Sequence, residues 1–315
     1  MFQRSIKTRC ESYRGGYTFK LQVAIGMNID KKRWGEFRGS DIWLYTITSE
    51  SMEISVTNYG CTVVSLRVRL ADSKVANVND RDGTIDEEKR AFKNILLGYP
   101  CFDELAADKY YMGCLVGRFA GRIGRAAFEI AGTRYNLPAN DGLSGNHLHG
   151  GVEGFNKMIF DELSQDCGPT RASITFHGVS EDMDQGYPGK VEISFTMTLT
   201  NDNEITFAYL AKPDRPTHIN LTHHLYYNLC DPQPGTFQNL FIDAGSVLQT
   251  GADYIPTGKI VPTPEYADFS QARKIPADIN YNECYVLNSR SSTQVAATLS
   301  NISSGINMEL STSCP

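Results

Sequence analysis

The sequence has 315 residues, of which 41% are hydrophobic and 21% are charged, which is the composition of a globular protein and not of a disordered one. A net charge of -6 gives no electrostatic reason to expect nucleic acid or an anionic membrane as a partner. No apolar run approaches the length of a membrane span, and the first residues lack the apolar centre of a secretory signal.

Short runs of β-branched and aromatic residues dominate the chain, and turn-forming residues separate them. The clearest runs are SDIWLYTIT (40–48), MEISVTNYG (52–60), CTVVSLRVRL (61–70), KVEISFTMTLT (190–200) and NEITFAYLA (203–211). One short helix is indicated by IDEEKRAFKNIL at 85–96. Because strands and helices do not alternate, the sequence predicts an all-β protein. We expect a single antiparallel β-domain over residues 27–315, with residues 1–26 as an N-terminal extension.

Three arginines fall in the glycine-rich stretch that begins at Leu115, namely Arg118, Arg122 and Arg125. Either these arginines are solvated, or the guanidinium of one of them donates hydrogen bonds to vicinal hydroxyls or to a ring oxygen of a sugar. The segment EIAGTRYNL, residues 129–137, follows them and predicts a tight hairpin with an Ala-Gly turn.

The segment LSGNHLHGGVEGFNK, residues 143–157, carries two histidines on one side of an extended backbone. His147, His149 and Glu153 together match the spacing HxHxxxE, which resembles the first metal motif of the cupins. No later segment resembles the second cupin motif. A cupin-like metal enzyme is therefore kept as an alternative, and the main prediction contains no metal site.

The segment HINLTHHLYYNL, residues 218–229, is predicted to be a strand with two different faces. Its core face would carry Leu221, His223, Leu225 and Tyr227, and its polar face Thr222, His224, Tyr226 and Asn228. The polar face suits a cleft for a polyhydroxylated ligand. The alternative is that His224 is a structural histidine with a satisfied partner.

The eight cysteines contain no CxxC pair and are widely and irregularly spaced. Such spacing favours free thiols in a reducing compartment over a disulfide or zinc framework. We therefore expect a cytoplasmic protein.

Five stretches, in order and spacing, resemble the aldose 1-epimerase (galactose mutarotase) family. They are GRFAGRIGRAAFEIAGTRYNLPAND, NHLHGGVEGFNK, DQGYPGKVEISFTMTLTNDNEITFAY, HINLTHHLYYNL and ADYIPTGKIVP, and the resemblance covers residues 40–315. It implies a large β-sandwich of the supersandwich type. It also implies cofactor-free interconversion of the α and β anomers of hexoses such as galactose and glucose, by acid–base ring opening and closure.

The resemblance also implies roles for individual residues. His224 matches the general acid, and His149 and Arg122 match sugar-binding residues. Tyr226, on the same predicted face as His224, is placed in the binding surface.

Two binding positions depart from the family pattern. Gly121 stands where the family usually has Asn, so that one amide contact is lost. Asn282 stands where the family has a sugar-binding Asp, so that a charge-assisted hydrogen bond is weakened.

The family's last segment continues through a substrate-binding Gln and the catalytic Glu that serves as general base, and the sequence GINMELSTSCP resembles only its first strand. We therefore expect the printed chain to be truncated relative to the family and to lack that base. Glu153, Asp184 and Glu283 lie within family motifs and are the candidates for a substitute. A non-catalytic carbohydrate-binding protein of the same family is the second alternative.

Overall fold

The structure is a computed structural model, and it describes residues 26–70, 92–230, 237–289, 291 and 293–314, together with the backbone of residues 2–11. Within the described part of the chain, all pairs of named strands are antiparallel. The prediction of an all-β, antiparallel fold is confirmed.

The largest sheet has nine strands. In spatial order they are β12 (Asp161–Cys167), β13 (Arg171–Ser180), β14 (Val191–Thr200), β15 (Glu204–Pro213), β1 (Phe2–Glu11), β23 (Ile306–Thr312), β22 (Ala297–Asn301), β17 (Asn239–Ile242) and β20 (Arg273–Lys274). The predicted runs at 190–200 and 203–211 correspond to β14 and β15. Strand β1 comes from the segment that the sequence analysis treated as an extension, and it pairs with both β15 and β23.

A second sheet has five strands and faces the first. Its order is β2 (Asn28–Phe37), β3 (Ser40–Thr48), β4 (Met52–Thr57), β5 (Val63–Arg69) and β6 (Phe92–Asn94). The predicted runs at 40–48, 52–60 and 61–70 are confirmed as β3, β4 and β5. The helix predicted over 85–96 is wrong at its end, because Phe92–Asn94 pairs with β5; residues 85–91 lie outside the described residues.

The core lies between these two sheets, because alternate side chains of each strand point inward. On β14, Val191, Ile193, Phe195, Met197 and Leu199 are fully buried. The rings of Tyr45 and Phe176, one from each sheet, meet edge to face with centroids 5.2 Å apart. The result is a sandwich, as predicted.

Short strand pairs stand beside the sandwich. They are β7 (Leu115–Val116) with β16 (Thr222–His223), β8 (Arg122–Ile123) with β11 (His147–Leu148), and β9 (Ala127–Ile130) with β10 (Thr133–Asn136). The last pair is the hairpin predicted around the Ala-Gly turn. A three-stranded sheet contains β19 (Pro256–Pro262), β18 (Ser246–Thr250) and β21 (Tyr285–Val286).

Helical structure is limited to one short α-helix, α1 (Phe102–Ala106), and 3-10 turns over the described residues. The 3-10 turns cover Gly124–Ala126, Gly142–Ser144, Phe155–Lys157, Asp184–Gly186 and Glu265–Ala267. None of the helices in the described ranges is long and apolar enough to cross a membrane.

Candidate active site

Two short ladders bring the predicted site residues together. The pairing of β7 with β16 holds the backbone next to His224, whose N–H donates to the Cys114 carbonyl at 3.0 Å. The pairing of β8 with β11 sets Leu148 opposite Arg122 and so places His149 beside Gly121. The predicted long strand at 218–229 is much shorter, since only Thr222–His223 is paired as a strand.

The predicted division of the 218–229 segment into two faces is confirmed at residues 221–224. Beyond them it is less sharp, because Leu225 and Tyr227 are only partly buried, although both pack against the core. Leu221 and His223 are buried, whereas His224 and Tyr226 are only partly buried. The His223 ring accepts a hydrogen bond from Tyr209 Oη at Nδ1 (2.7 Å) and donates from Nε2 to the Cys61 carbonyl (2.9 Å). His223 is therefore a core histidine with both nitrogens satisfied.

The imidazoles of His149 and His224 form the centre of the site. Their rings meet edge to face with centroids 5.3 Å apart, and the Tyr226 ring lies 5.0 Å from His224 on another side. In the part of the chain described, no hydrogen bond to another residue occupies a ring nitrogen of His224. This imidazole is thus available to a ligand.

Both central histidines are neutral at pH 7. Burial, with a further contribution from the neighbouring His224, lowers the pKa of His149 to about 4. Burial also lowers the pKa of His224. The backbone N–H of Gly121 donates to Nδ1 of His149 at 3.1 Å, so the proton of this imidazole is on Nε2.

Arg122 lies at one end of the histidine pair and is held by Asp141. Its Nε donates to Asp141 Oδ2 at 2.7 Å, in a half-buried ion pair. Its guanidinium carbon lies 5.0 Å from the centroid of the Tyr254 ring. A guanidinium fixed in this way keeps donors in a defined geometry for hydroxyl groups.

Tyr111 borders both central histidines, and it was not among the site residues predicted from the sequence. Its ring lies 4.7 Å from that of His149 and 6.5 Å from that of His224. Burial raises the pKa of this phenol. Its φ of 57° lies in the left-handed region, which is uncommon outside glycine. The sequence offers only an aromatic pair before a glycine, YYMG, as a signal.

The other two arginines of the glycine-rich stretch do not resemble Arg122. Arg118 is almost fully buried and donates to the Ser180 hydroxyl (2.6 Å) and to backbone carbonyls including that of Gly189 (2.8 Å). Arg118 therefore has a structural role. Neither of the two predicted roles, a solvated side chain or a sugar-binding guanidinium, fits it. Arg125 is exposed.

Asn282 is not brought to the histidine pair by any hydrogen bond or ring contact of the described residues. It is exposed, and its backbone N–H donates to Glu283 Oε2 at 2.9 Å.

The three candidate substitutes for the base are also engaged elsewhere. Glu153 pairs with Arg38, Asp184 accepts from the Ser180 hydroxyl, and Glu283 accepts from the Tyr266 hydroxyl.

The cupin-like arrangement is not formed. Both nitrogens of His147 are used by the protein, since Nδ1 lies 2.8 Å from the Pro138 carbonyl and Nε2 lies 2.7 Å from Tyr187 Oη. The described residues contain no group of three His, Cys, Asp or Glu side chains that could hold a metal ion.

The antiparallel β-sandwich thus carries at its side an imidazole pair, a fixed arginine and aromatic walls. Residues 44–315 match the family model described as aldose 1-epimerase, and the chain belongs to this family.

The chain is similar to named relatives along much of its length. It is 31% identical over 220 residues to the galactose mutarotase of Sus scrofa, covering 69% of this chain and 57% of the relative. It is 28% identical over 282 residues to the maltose epimerase of Levilactobacillus brevis, covering 86% of this chain and 77% of the relative. The matched part spans between 56% and 59% of the mammalian galactose mutarotases.

Among solved structures, the galactose 1-epimerase from Lactobacillus acidophilus NCFM is similar, with a TM-score of 0.70 at 22% identity. The similarity covers 87% of this chain and 77% of that one. It confirms the predicted fold.

Proposed function

We propose that this protein is an aldose 1-epimerase that interconverts the α and β anomers of a hexose such as galactose or glucose. The observation that carries the proposal is the imidazole pair of His149 and His224, 5.3 Å apart and beside the fixed guanidinium of Arg122. Membership of the family supports it, as do the names of the relatives, which describe epimerisation of sugars.

In the proposed reaction, His224 delivers a proton to the ring oxygen of the sugar from its protonated form, which is a minor fraction at pH 7 because burial lowers the pKa of this imidazole. The bond between C1 and the ring oxygen breaks, a water molecule accepts the proton of the anomeric hydroxyl, and C1 becomes an aldehyde. Transfer of a proton from solvent back to His224 restores the acid. Rotation about the C1–C2 bond and closure in the reverse sense give the other anomer. An acid in position typically contributes about 10²–10⁴-fold to such a step.

The other site residues bind the sugar in this proposal. His149 offers its Nε2–H to a ring oxygen or hydroxyl, and Arg122 offers guanidinium donors. Tyr226 borders His224, and Gly121 sets the orientation of His149. Asn282 remains a prediction from the family pattern. No cofactor enters any step.

A second candidate is sugar binding without turnover. It is favoured by the state of Asp141 and Asp108, the described carboxylates whose charges act on His149 and His224. Asp141 is paired with Arg122, and Asp108 accepts from the Tyr99 hydroxyl and from two backbone N–H groups. Neither carboxylate therefore takes part in proton transfer in the proposed reaction.

Polarimetry with freshly dissolved α-galactose tests the first proposal and separates it from the second. We expect the protein to accelerate mutarotation over the spontaneous rate, and His224→Asn to abolish the acceleration while retaining the fold by circular dichroism. Folded protein that binds galactose by calorimetry without acceleration contradicts the enzyme proposal and supports the binding protein. Unchanged acceleration in His224→Asn contradicts the role of His224.

The location is also a proposal. The cysteines whose side chains the structure describes are all free thiols. Free thiols persist in a reducing compartment, which supports the cytoplasm.

A further inference from the structure

A single carboxylate holds the loop that carries Tyr111 at two points. Asp108 Oδ1 accepts from the Tyr110 N–H at 2.9 Å, and Asp108 Oδ2 accepts from the Met112 N–H at 2.9 Å. These N–H groups belong to the residues immediately before and after Tyr111 in the chain. Asp108 therefore brackets the residue whose ring borders both central histidines.

The backbone of Tyr111 depends on support of this kind. Its φ of 57° lies in the left-handed region, which residues other than glycine rarely occupy. Such backbone persists only where its surroundings fix it, and it is concentrated at active sites. The Tyr111 carbonyl accepts from the Cys114 N–H at 3.3 Å, while Asp108 holds the N–H groups on either side. Hydrogen bonds to the backbone thus set the direction in which the Tyr111 ring points.

Asp108 is in turn fixed at the end of helix α1. Its N–H donates to the Leu105 carbonyl at 3.0 Å, and Tyr99 Oη donates to Asp108 Oδ1 at 2.6 Å. Leu105 is buried in a cluster with Phe102. The carboxylate consequently joins the loop to a packed part of the protein.

The same loop also reaches His224. The Gly113 N–H donates to the His224 carbonyl at 2.8 Å, and Tyr226 Oη donates to the Tyr110 carbonyl at 3.1 Å. Tyr111 and Tyr226, whose rings lie near His224, are therefore both connected to this loop.

We propose that Asp108 is a positioning residue of the site, because its carboxylate holds the loop of residues 109–113 so that the Tyr111 ring stays against His149 and His224. Asp108 acts on the site through Tyr111, which keeps water from the imidazoles. The inference rests on the proposed function where it concerns turnover, whereas the position of the ring can be measured without turnover.

The pKa of His149 reports the position of the Tyr111 ring, because that ring lies 4.7 Å from the imidazole and helps to bury it. The other titratable and charged groups that act on His149 are His224, Arg122, Asp141 and His147. The variants below leave all four unchanged.

Imidazole NMR of the full chain compares the wild type with Asp108→Ala and Asp108→Asn. Asp108→Ala removes both bonds to the loop, so we expect the titration midpoint of His149 to rise from about 4 toward its ordinary value as water enters. Asp108→Asn keeps one acceptor oxygen, so the rise should be smaller. Loss of a negative charge by itself lowers the pKa of an imidazole, so a rise reports the loop and not the charge.

The double variant Asp108→Ala/Tyr111→Ala decides whether Asp108 acts through the ring. We expect its His149 midpoint to equal that of Tyr111→Ala, since the ring that Asp108 positions is already gone. A midpoint that stays near 4 in both Asp108 variants, or a double variant in which the two shifts add, overturns the proposal. If Asp108→Ala does not fold, Asp108→Asn and its double variant with Tyr111→Ala carry the same test.

Tyr99→Phe and Asp103→Asn are the matched controls. Tyr99→Phe removes a hydrogen bond to the same carboxylate but leaves both bonds to the loop. Asp103→Asn removes an exposed charge in the first turn of α1. Both should keep the wild-type midpoint of His149, and a rise as large as that of Asp108→Ala in either control overturns the proposal.

Polarimetry with galactose then connects the loop to turnover. We expect Asp108→Ala to lower kcat/KM by up to about 100-fold, since a misplacement of about 1 Å can cost that much. Wild-type kcat/KM together with a raised His149 midpoint overturns the role of Asp108 in the reaction. If the wild-type chain does not accelerate mutarotation, the proposed function fails, while the NMR midpoints still decide whether Asp108 positions Tyr111.

Discussion

The backbone N–H of Gly121 donates to Nδ1 of His149 across 3.1 Å, and this bond fixes the tautomer of a central imidazole of the site. Because Nδ1 is an acceptor here, the ring carries its proton on Nε2. Burial keeps the ring neutral, so His149 offers a hydrogen-bond donor at any pH well above 4.

Imidazole nitrogen NMR tests this relationship. We expect His149 to show the Nε2–H tautomer at pH 7 and a titration midpoint near 4, since burial lowers its pKa to about that value. His149→Gln identifies the resonance by removing it. A proton on Nδ1, or a midpoint near the ordinary value of about 6.5, would contradict the assignment.

Gly121 also permits a gain-of-binding experiment. A Cβ at this position would meet no atom within 4 Å, although the φ of 93° is strained for residues other than glycine. Asn tolerates positive φ better than most residues, and it is the residue usual in the family at this position.

We therefore expect Gly121→Asn to tighten galactose binding by about 2- to 10-fold, as one added hydrogen bond is worth about 0.5–1.5 kcal/mol. Gly121→Ala is the control, since it adds a Cβ at the same positive φ without the amide. Calorimetric Kd values that are equal in the two variants would show that the amide does not reach the sugar.

Tyr111 is expected to control the pKa of both central histidines, because its ring covers one side of each. Tyr111→Ala admits water, so the depressed pKa of each imidazole should rise toward its ordinary value. Tyr111→Phe keeps the ring and loses only the hydroxyl, so its effect should be smaller. Titration midpoints that do not differ between the two variants would show that the ring does not desolvate the histidines.

The sequence predicts best those features that depend on alternation along a single strand. The buried residues of β14 and the core position of His223 both follow from the two-residue period. The same reasoning gave too long a strand around His224, because pairing depends on a partner, and β7 offers only Leu115–Val116.

Contacts between distant segments could not be predicted from local pattern. His147 is satisfied by Tyr187, 40 residues away, and Arg118 by the backbone around residues 180–189. The sequence around His147 and around Arg118 gives no indication of these partners. The ion pair of Arg122 with Asp141 and the position of Tyr111 likewise depend on how loops fold back, which propensity does not encode.

Acid should destabilise the fold through His223. Burial lowers its pKa to about 4, against about 6.5 in the unfolded chain. Between these values only the unfolded chain takes up the proton, so the stability is fully present above pH 6.5 and is lost as pH falls to about 4. The loss is on the order of 3 kcal/mol for this group.

Urea unfolding at several values between pH 7 and pH 4 measures that loss. His223→Gln should be less stable at pH 7, because Tyr209 and the Cys61 carbonyl lose their fitted partner, but its stability should depend less on pH. His218→Gln, at an exposed position, is the control and should retain the wild-type dependence. An unchanged slope in His223→Gln would contradict the neutral core histidine.

Strand β1 lies in the interior of the nine-stranded sheet, so its backbone pairs with a neighbouring strand on each side. Ile6 is opposite Phe207 of β15 and Thr312 of β23. Proline at this position removes a ladder donor and fits poorly between two paired strands. We expect Ile6→Pro to lower the free energy of unfolding by about 1–3 kcal/mol, the range for an unsatisfied buried backbone group.

Ile6→Val keeps the donor and the β-branched shape and should remain close to the wild type. Equal urea midpoints for the two variants would mean that residues 2–11 do not complete the sheet in solution.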